Sequence, residues 1–336
     1  MQSQILLESL LALLGLGLLY LGGEFLVRGG AAIARRLRLA PIVIGLTVVA
    51  FGTSAPELIV SLISAVQDHM AVSVGNVVGS NVVNIALILG LAALISPITV
   101  SRRVSLGDTP IMLGTYVVLA LVTLNYGAVP IWIGGSIVRL EGVIMVLLLL
   151  GYILFTYRTI RGKDVHAVDE VDVQRVEDAS VDSLHTSILV AMVIAGVAAL
   201  GFGGQFLVRG ATFLAANVFG ASDRFIGITM VALGTSLPEL MTSIIALARR
   251  QSDISLGNII GSNIFNSLFV LGVTAVVRPI SLSDSDFAID FGVMVTISLV
   301  LFVIVGSQRK LPRWSGALLL AFYIGYFAYL LTTRTV

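Results

Sequence analysis

Apolar residues run along this chain in long unbroken stretches, near 5–34, 41–66, 72–95, 109–127, 130–156, 186–216, 224–248, 254–277, 287–306 and 314–332. A helix needs about 20 apolar residues to cross a bilayer, so the pattern predicts ten membrane-spanning helices and an all-α, polytopic fold. The first run, from Ile5 to Ala34, has no basic residue ahead of it and exceeds the core of a signal peptide, so it is expected to stay as a helix. The extended polar stretch is 158–185, with Asp164, Asp169, Glu170, Asp172, Glu177, Asp178 and Asp182. It lacks the glycine turn and ligand spacing of a calcium loop and reads as a solvated linker. The expected division is 1–157, 158–185 and 186–336.

The polar residues that interrupt the apolar runs repeat. Residues 45–90 laid over 227–272, an offset of 182, give 21 identities in 46 positions, against roughly five for a composition this biased. The match extends outward, from Gly22-Gly23-Glu24-Phe25-Leu26-Val27-Arg28-Gly29 onto Gly203-Gly204-Gln205-Phe206-Leu207-Val208-Arg209-Gly210, and from Pro97 and Asp108 onto Pro279 and Asp290. Each unit then holds five helices. An odd number makes the second unit enter the membrane from the opposite side, so the repeats are expected to be inverted.

Charge location tests that topology. Loops on one side carry Arg35, Arg36, Arg38, Arg102, Arg103, Arg158, Arg161, Lys163, Arg175, Arg249, Arg250, Arg309, Lys310 and Arg313. The other side has Arg224, Arg278 and Arg334, leaving Arg28, Arg139 and Arg209 near helix ends. The rich side is expected to be cytoplasmic, with both termini outside the cell membrane. Composition agrees: 57% of the 336 residues are hydrophobic and 12% charged, and mean hydropathy is +1.03, beyond any water-soluble domain of this length. The net charge of +1 is scattered and gives no patch for nucleic acid. With no Cys there is no disulfide or thiolate site, and His69, His166 and His185 all fall in or beside polar stretches.

The chemistry lies where the repeat is strongest. Gly52-Thr53-Ser54-Ala55-Pro56-Glu57-Leu58 recurs as Gly234-Thr235-Ser236-Leu237-Pro238-Glu239-Leu240, placing a carboxylate at membrane depth in each half. An ionisable group there is costly and marks a functional site. Thr53, Glu57 and Ser61 share one helix face, with Ser54 beside them. Pro56 and Pro238 are expected to open their helices and turn the main-chain oxygens of Ala50, Thr53, Ala232 and Thr235 toward a cavity. Asn76, Ser80 and Asn84 line another face, matched by Asn258, Ser262 and Asn266. An all-oxygen set suits hard cations, Ca²⁺ and Na⁺ foremost. A structural buried Glu would need a cationic partner, and the four helices concerned hold no Lys or Arg away from their ends. Gly75-x-x-x-Gly79 and Gly257-x-x-x-Gly261 are expected to be close helix contacts, and Asn81 and Asn263 could be site residues or interhelical hydrogen-bond partners.

At these residues the chain resembles a prokaryotic member of the sodium/calcium exchanger family, in the cation/calcium antiporter superfamily. The paired GTS-x-PE and GN-x-x-GSN-x-x-N motifs carry the resemblance. It implies that helices 2, 3, 7 and 8 form the core, with long tilted helices 1 and 6 sliding across it. It implies Glu57, Glu239 and the carbonyls of Thr53 and Thr235 as Ca²⁺ ligands. For Na⁺ it implies Ser54, Ser80, Ser236, Ser262, the Ala50 and Ala232 carbonyls and the two glutamates, with Asn84 completing the cluster. Some relatives, including potassium-dependent exchangers, have Asp where this chain has Asn266, which argues against potassium co-transport. These 336 residues hold no counterpart of the large cytosolic regulatory domains of animal exchangers, so that kind of calcium feedback is not expected. The expected activity is antiport, Na⁺ against Ca²⁺, with no cofactor, no enzyme activity and no protein partner beyond the bilayer. A proton-coupled calcium antiporter is the nearest rival, though the Thr-Ser pairs suit dehydrated Na⁺ better than a proton. A channel would align its filter on a multi-subunit axis, and an intramembrane protease lacks a deep His or paired Asp residues.

Overall fold

A computed structural model describes residues 2–37, 39, 41–123, 135–161, 181, 183–218, 232–281 and 285–333. Its helices are α1 (Gln2–Arg36), α2 (Ile42–Thr53), α3 (Ala55–Val66), α4 (Met70–Ile95), α5 (Val104–Val122), α6 (Arg139–Arg161), α7 (Thr186–Asn217), α8 (Leu237–Ala248), α9 (Ser252–Val277), α10 (Ser285–Gln308) and α11 (Arg313–Thr333). Among the described residues, eight helices are long and apolar enough to span a membrane, and α2 with α3 makes a ninth, bent by 41°. The first part of the expected span 224–248 lies outside the described residues. Only the turn Ala232–Gly234 and α8 represent it.

Two expected boundaries move. The span read as 130–156 begins at Arg139, because Ser136–Ile137 is drawn into an antiparallel strand pair with Ile280–Ser281. Its other end runs through Arg161, past the expected start of the linker. Most of that linker lies outside the described residues, but its far end is docked rather than free. Val181 packs with Ala32 and Leu189, and Arg36 donates to Thr186 Oγ1 at 2.8 Å and the Leu184 carbonyl at 2.6 Å. A second strand pair joins Ile98–Thr99 to Lys310–Leu311. Strands 98–99 and 280–281 are 182 apart, so each pair ties a loop of one half to a loop of the other.

Burial sorts the helices. The most apolar window of α4 is 72% buried and that of α9 is 83%, against 22% in α1 and 17% in α11. Lipid takes the place of protein around a membrane-embedded rim, so α4 and α9 are central and α1, α6 and α11 face the bilayer. Among the described residues, α1 and α7 share the most extensive helix contact. Glycines at seven-residue spacing make it. A Cβ on Gly15 would lie 2.7 Å from the Gly203 carbonyl, on Gly22 2.8 Å from that of Gly196, and on Gly29 3.2 Å from that of Leu189. Residue numbers fall along α7 as they rise along α1, so the pair is antiparallel and its backbones touch, as small residues allow within a membrane. At about 1.5 Å per residue the 35-residue α1 spans about 52 Å, far more than an apolar layer of about 30 Å, so it must tilt.

Candidate functional site

Pro56 and Pro238 sit in the first turns of α3 and α8, and the residues before those helices, Ser54 and Ser236, have the same non-helical geometry (φ −82°, ψ 5° and φ −88°, ψ 4°). Proline cannot supply an N–H to the turn before it, so the chain breaks in both halves at the same place. The Ala50 carbonyl accepts the Ser54 N–H at 3.0 Å and so closes the last turn before the break, which leaves its second lone pair open. Ala232 opens the described turn of the second half, and its side chain lies outside the described residues.

The breaks bring the two halves into contact. Glu57 and Glu239 are fully buried. Oε1 of Glu57 accepts the hydroxyls of Ser80 at 3.3 Å and of Ser236, from the other half, at 3.4 Å. Oε1 of Glu239 accepts those of Ser262 at 3.4 Å and of Ser54, again from the other half, at 3.2 Å. Thr53 donates to Asn258 Oδ1 at 3.0 Å, and Thr235 to Asn76 Oδ1 at 3.3 Å. The Thr-Ser pair of each half thus serves the glutamate and asparagine of its partner.

Asn76 and Asn258, seen in the sequence only as members of a face, are the brackets of this arrangement. Asn76 donates to the Glu57 carbonyl at 3.1 Å and to Ser61 at 3.0 Å, and Asn258 reaches the Glu239 carbonyl at 3.5 Å and Ser243 at 3.3 Å. Their shared 182 spacing was the available signal. Each therefore fixes its own half's glutamate-bearing turn and the opposite half's threonine. The close packing expected of Gly257 and Gly261 is present, since a Cβ on either would fall within 2.7 Å of residues in α2. The counterpart stretch for Gly75 and Gly79, residues 224–231, lies outside the described residues.

Asn84 and Asn266 both lie in π-helical turns, Val83–Leu89 and Asn266–Val270, a local widening frequent at functional sites. They differ in company. Asn266 donates to Asn81 Oδ1 at 3.2 Å, while neither amide atom of Asn84 has a hydrogen-bond partner. Asn81 also donates to Ser267 at 3.1 Å, and Asn263 accepts from Tyr116 at 3.0 Å. These two asparagines thus bridge helices.

The remaining oxygens define what the site can do. Oε2 of Glu57, Oε2 of Glu239 and Oδ1 of Asn266 are buried without a partner. Among the described residues no Lys, Arg or His pairs with either glutamate. No group of three His, Cys, Asp or Glu side chains occurs among them either. The arrangement is two carboxylates amid neutral oxygens, and an orphaned buried carboxylate oxygen is expensive unless a cation meets it.

Comparison with known proteins gives a consistent picture. The family model for the sodium/calcium exchanger protein matches residues 8–158 and 188–332. The chain is 37% identical over 327 residues to a putative antiporter, CaxA, of Alkalimonas amylolytica, covering 96% of this chain and 98% of that one. It is 31% identical to the sodium/calcium exchanger MaX1 of Methanosarcina acetivorans, covering 97% and 99%. Among solved structures, the sodium-calcium exchanger NCX_Mj soaked with Na⁺ and no Ca²⁺ superposes with a TM-score of 0.80 at 31% identity, covering 97% and 99%.

Proposed function

The chain belongs to the sodium/calcium exchanger family, and we propose that it couples Na⁺ movement in one direction to Ca²⁺ movement in the other at the site between α2–α4 and α8–α9. The observation that carries this reading is the pair of buried, unpartnered Oε2 atoms on Glu57 and Glu239. Two ionised carboxylates give a charge near −2, which one Ca²⁺ or two to three Na⁺ neutralise. Glu57, Glu239 and the Thr53 and Thr235 carbonyls hold Ca²⁺. Ser54, Ser80, Ser236, Ser262 and the Ala50 and Ala232 carbonyls join the glutamates around Na⁺, with Asn84 and Asn266 adding uncharged oxygens. An empty dianion buried in protein is costly to carry across the membrane, so the protein changes sides with either cargo and resists doing so empty. That is the physical root of exchange, and no chemical catalysis is involved.

The topology belongs to the same proposal. Residues 1–157 and 186–336 are inverted five-helix repeats, ten helices in all, with both termini outside and the 158–185 linker in the cytoplasm. The antiparallel pairing of α1 with α7, the first helix of each repeat, supports it. Two measurements test these readings. In proteoliposomes with Na⁺ and pH gradients imposed separately, Ca²⁺ uptake is expected to follow Na⁺; uptake driven by the pH gradient alone would make the counter-ion a proton. A single Cys introduced into the linker of this Cys-free chain should resist an impermeant thiol reagent in intact cells, and rapid labelling would reverse the orientation.

A further inference from the structure

The outer helices treat the two halves differently. Ile63 of α3 and Ile245 of α8 are equivalent positions, 182 apart, yet Ile63 is 52% exposed and Ile245 4%. α1 makes the difference. A Cβ on Gly23 would meet the Ile245 side chain at 2.4 Å. The next residue, Glu24, grips Arg249 just past the end of α8 at two points, Nε to Oε1 at 3.1 Å and Nη2 to Oε2 at 2.7 Å. The mirror contact has no such chemistry. Gln205 of α7 stands where α1 has Glu24, and Gln67 stands where the second half has Arg249. Both glutamines are exposed. The end of α3 is tied instead by an exposed ion pair, Asp68 with Arg278.

We propose that Glu24 and Arg249 form a one-sided latch that holds α1 against α8 and keeps the α8 side of the ion site closed. Neither residue touches Glu57 or Glu239; both are positioning residues, and the inference rests on the alternating-access reading above. When the α1–α7 pair shifts so that α7 covers α3, Glu24 must leave Arg249, and the neutral Gln205 and Gln67 offer no ion pair in exchange. The free-energy gap between the two states therefore contains a contribution from this pair on one side alone. The Glu24 side chain is 11% exposed and that of Arg249 42%, so water partly screens the pair and its weight is that of a modest bias.

The test uses the full chain, free of Cys, in membranes at fixed Na⁺ and Ca²⁺, with Ile245→Cys or Ile63→Cys as a reporter of each side. Glu24→Gln is expected to raise the thiol-modification rate of Ile245→Cys by roughly two- to fivefold and to lower that of Ile63→Cys. Arg249→Gln should do the same, and the exchanged pair Glu24→Arg with Arg249→Glu should return both rates toward the parent. Rates at Ile245→Cys that stay level in both single variants would overturn the latch. So would a rise at both reporters together, which is general loosening. Should Glu24→Gln fail to fold, Arg249→Gln and the exchanged pair decide by the same readings. Accessibility needs no driven flux, so failure here is distinct from failure of Na⁺/Ca²⁺ coupling.

Discussion

The ion site and the α1–α7 pair are built from the same duplicated sequence, and they treat the duplication in opposite ways. At the site the two halves agree within a few tenths of an ångström: Ser80 to Glu57 is 3.3 Å and Ser262 to Glu239 is 3.4 Å, while Ser54 to Glu239 is 3.2 Å and Ser236 to Glu57 is 3.4 Å. Outside it, Ile63 is 52% exposed and Ile245 4%. Hydrogen bonds fix their partners at one distance and direction, so the crossed bonding between halves holds the centre symmetric. Apolar contact is non-directional, which leaves α1 and α7 free to lie off-centre. The molecule thus keeps its serine–glutamate geometry nearly equal in the two halves, while Asn84 and Asn266 differ in their partners and the packing around the site differs more.

The comparison can be broken first at its symmetric member. Glu57→Gln and Glu239→Gln should each reduce Ca²⁺ flux in proteoliposomes by about a hundredfold or more, through loss of half the site charge, while the protein stays folded. A large loss in only one of the two would end the equivalence of the halves. At the asymmetric member, Gly22→Val forces a side chain into the α7 backbone, 2.8 Å from both the Gly196 carbonyl and the Leu200 nitrogen. It should cost about 1–3 kcal/mol, read as a lower unfolding midpoint in detergent. Gly17→Val, with nothing within 4 Å of the new Cβ, should stay within about 0.5 kcal/mol.

Smaller effects sharpen the contrast. Asn266→Asp adds a third carboxylate to one half only, and the site must then take up a proton or another monovalent cation to balance its charge. Na⁺-driven Ca²⁺ uptake, measured from about pH 6 to 9 with and without K⁺, should become sensitive to one of them, with less loss of flux than Glu239→Gln. An unchanged profile would confine Asn266 to its hydrogen bond with Asn81. The smallest change is expected of Asp68→Asn, which breaks an exposed pair with Arg278 that is worth about 1 kcal/mol or less. Transport should stay within about twofold of the parent, and a larger shift would extend the latch argument to the α3 side.

Much of this arrangement could be read from the chain. Length of apolar runs gave the helices, Pro56 and Pro238 gave the breaks, and the 182-residue repeat gave the correspondence between halves. What escaped was the choice of partner. Thr53 lies four residues from Glu57, as on one helix face, yet its hydroxyl goes to Asn258 at 3.0 Å, because the chain breaks at Ser54 and bends by 41° between them. Gly75-x-x-x-Gly79 shows the reverse limit, since its expected neighbour lies among residues the structure does not describe. The unequal exposure of Ile63 and Ile245 could not be read at all. Identical residues in equivalent places differ only through where α1 lies, and a conformational state is a property of the packed molecule.

The ion pairs of α1 also bear on how the protein is made. Glu8 meets Arg209 at 2.7 Å, 201 residues further along, and Glu24 meets a residue 225 further along. During synthesis α1 reaches the bilayer before either arginine has been made, and a carboxylate held within the apolar layer is costly. At about 5–20 residues per second, the ribosome takes on the order of tens of seconds to deliver their arginines. The helix written first in the chain therefore waits for residues of the second half before its Glu8 and Glu24 carboxylates reach the arginines they meet in the folded protein.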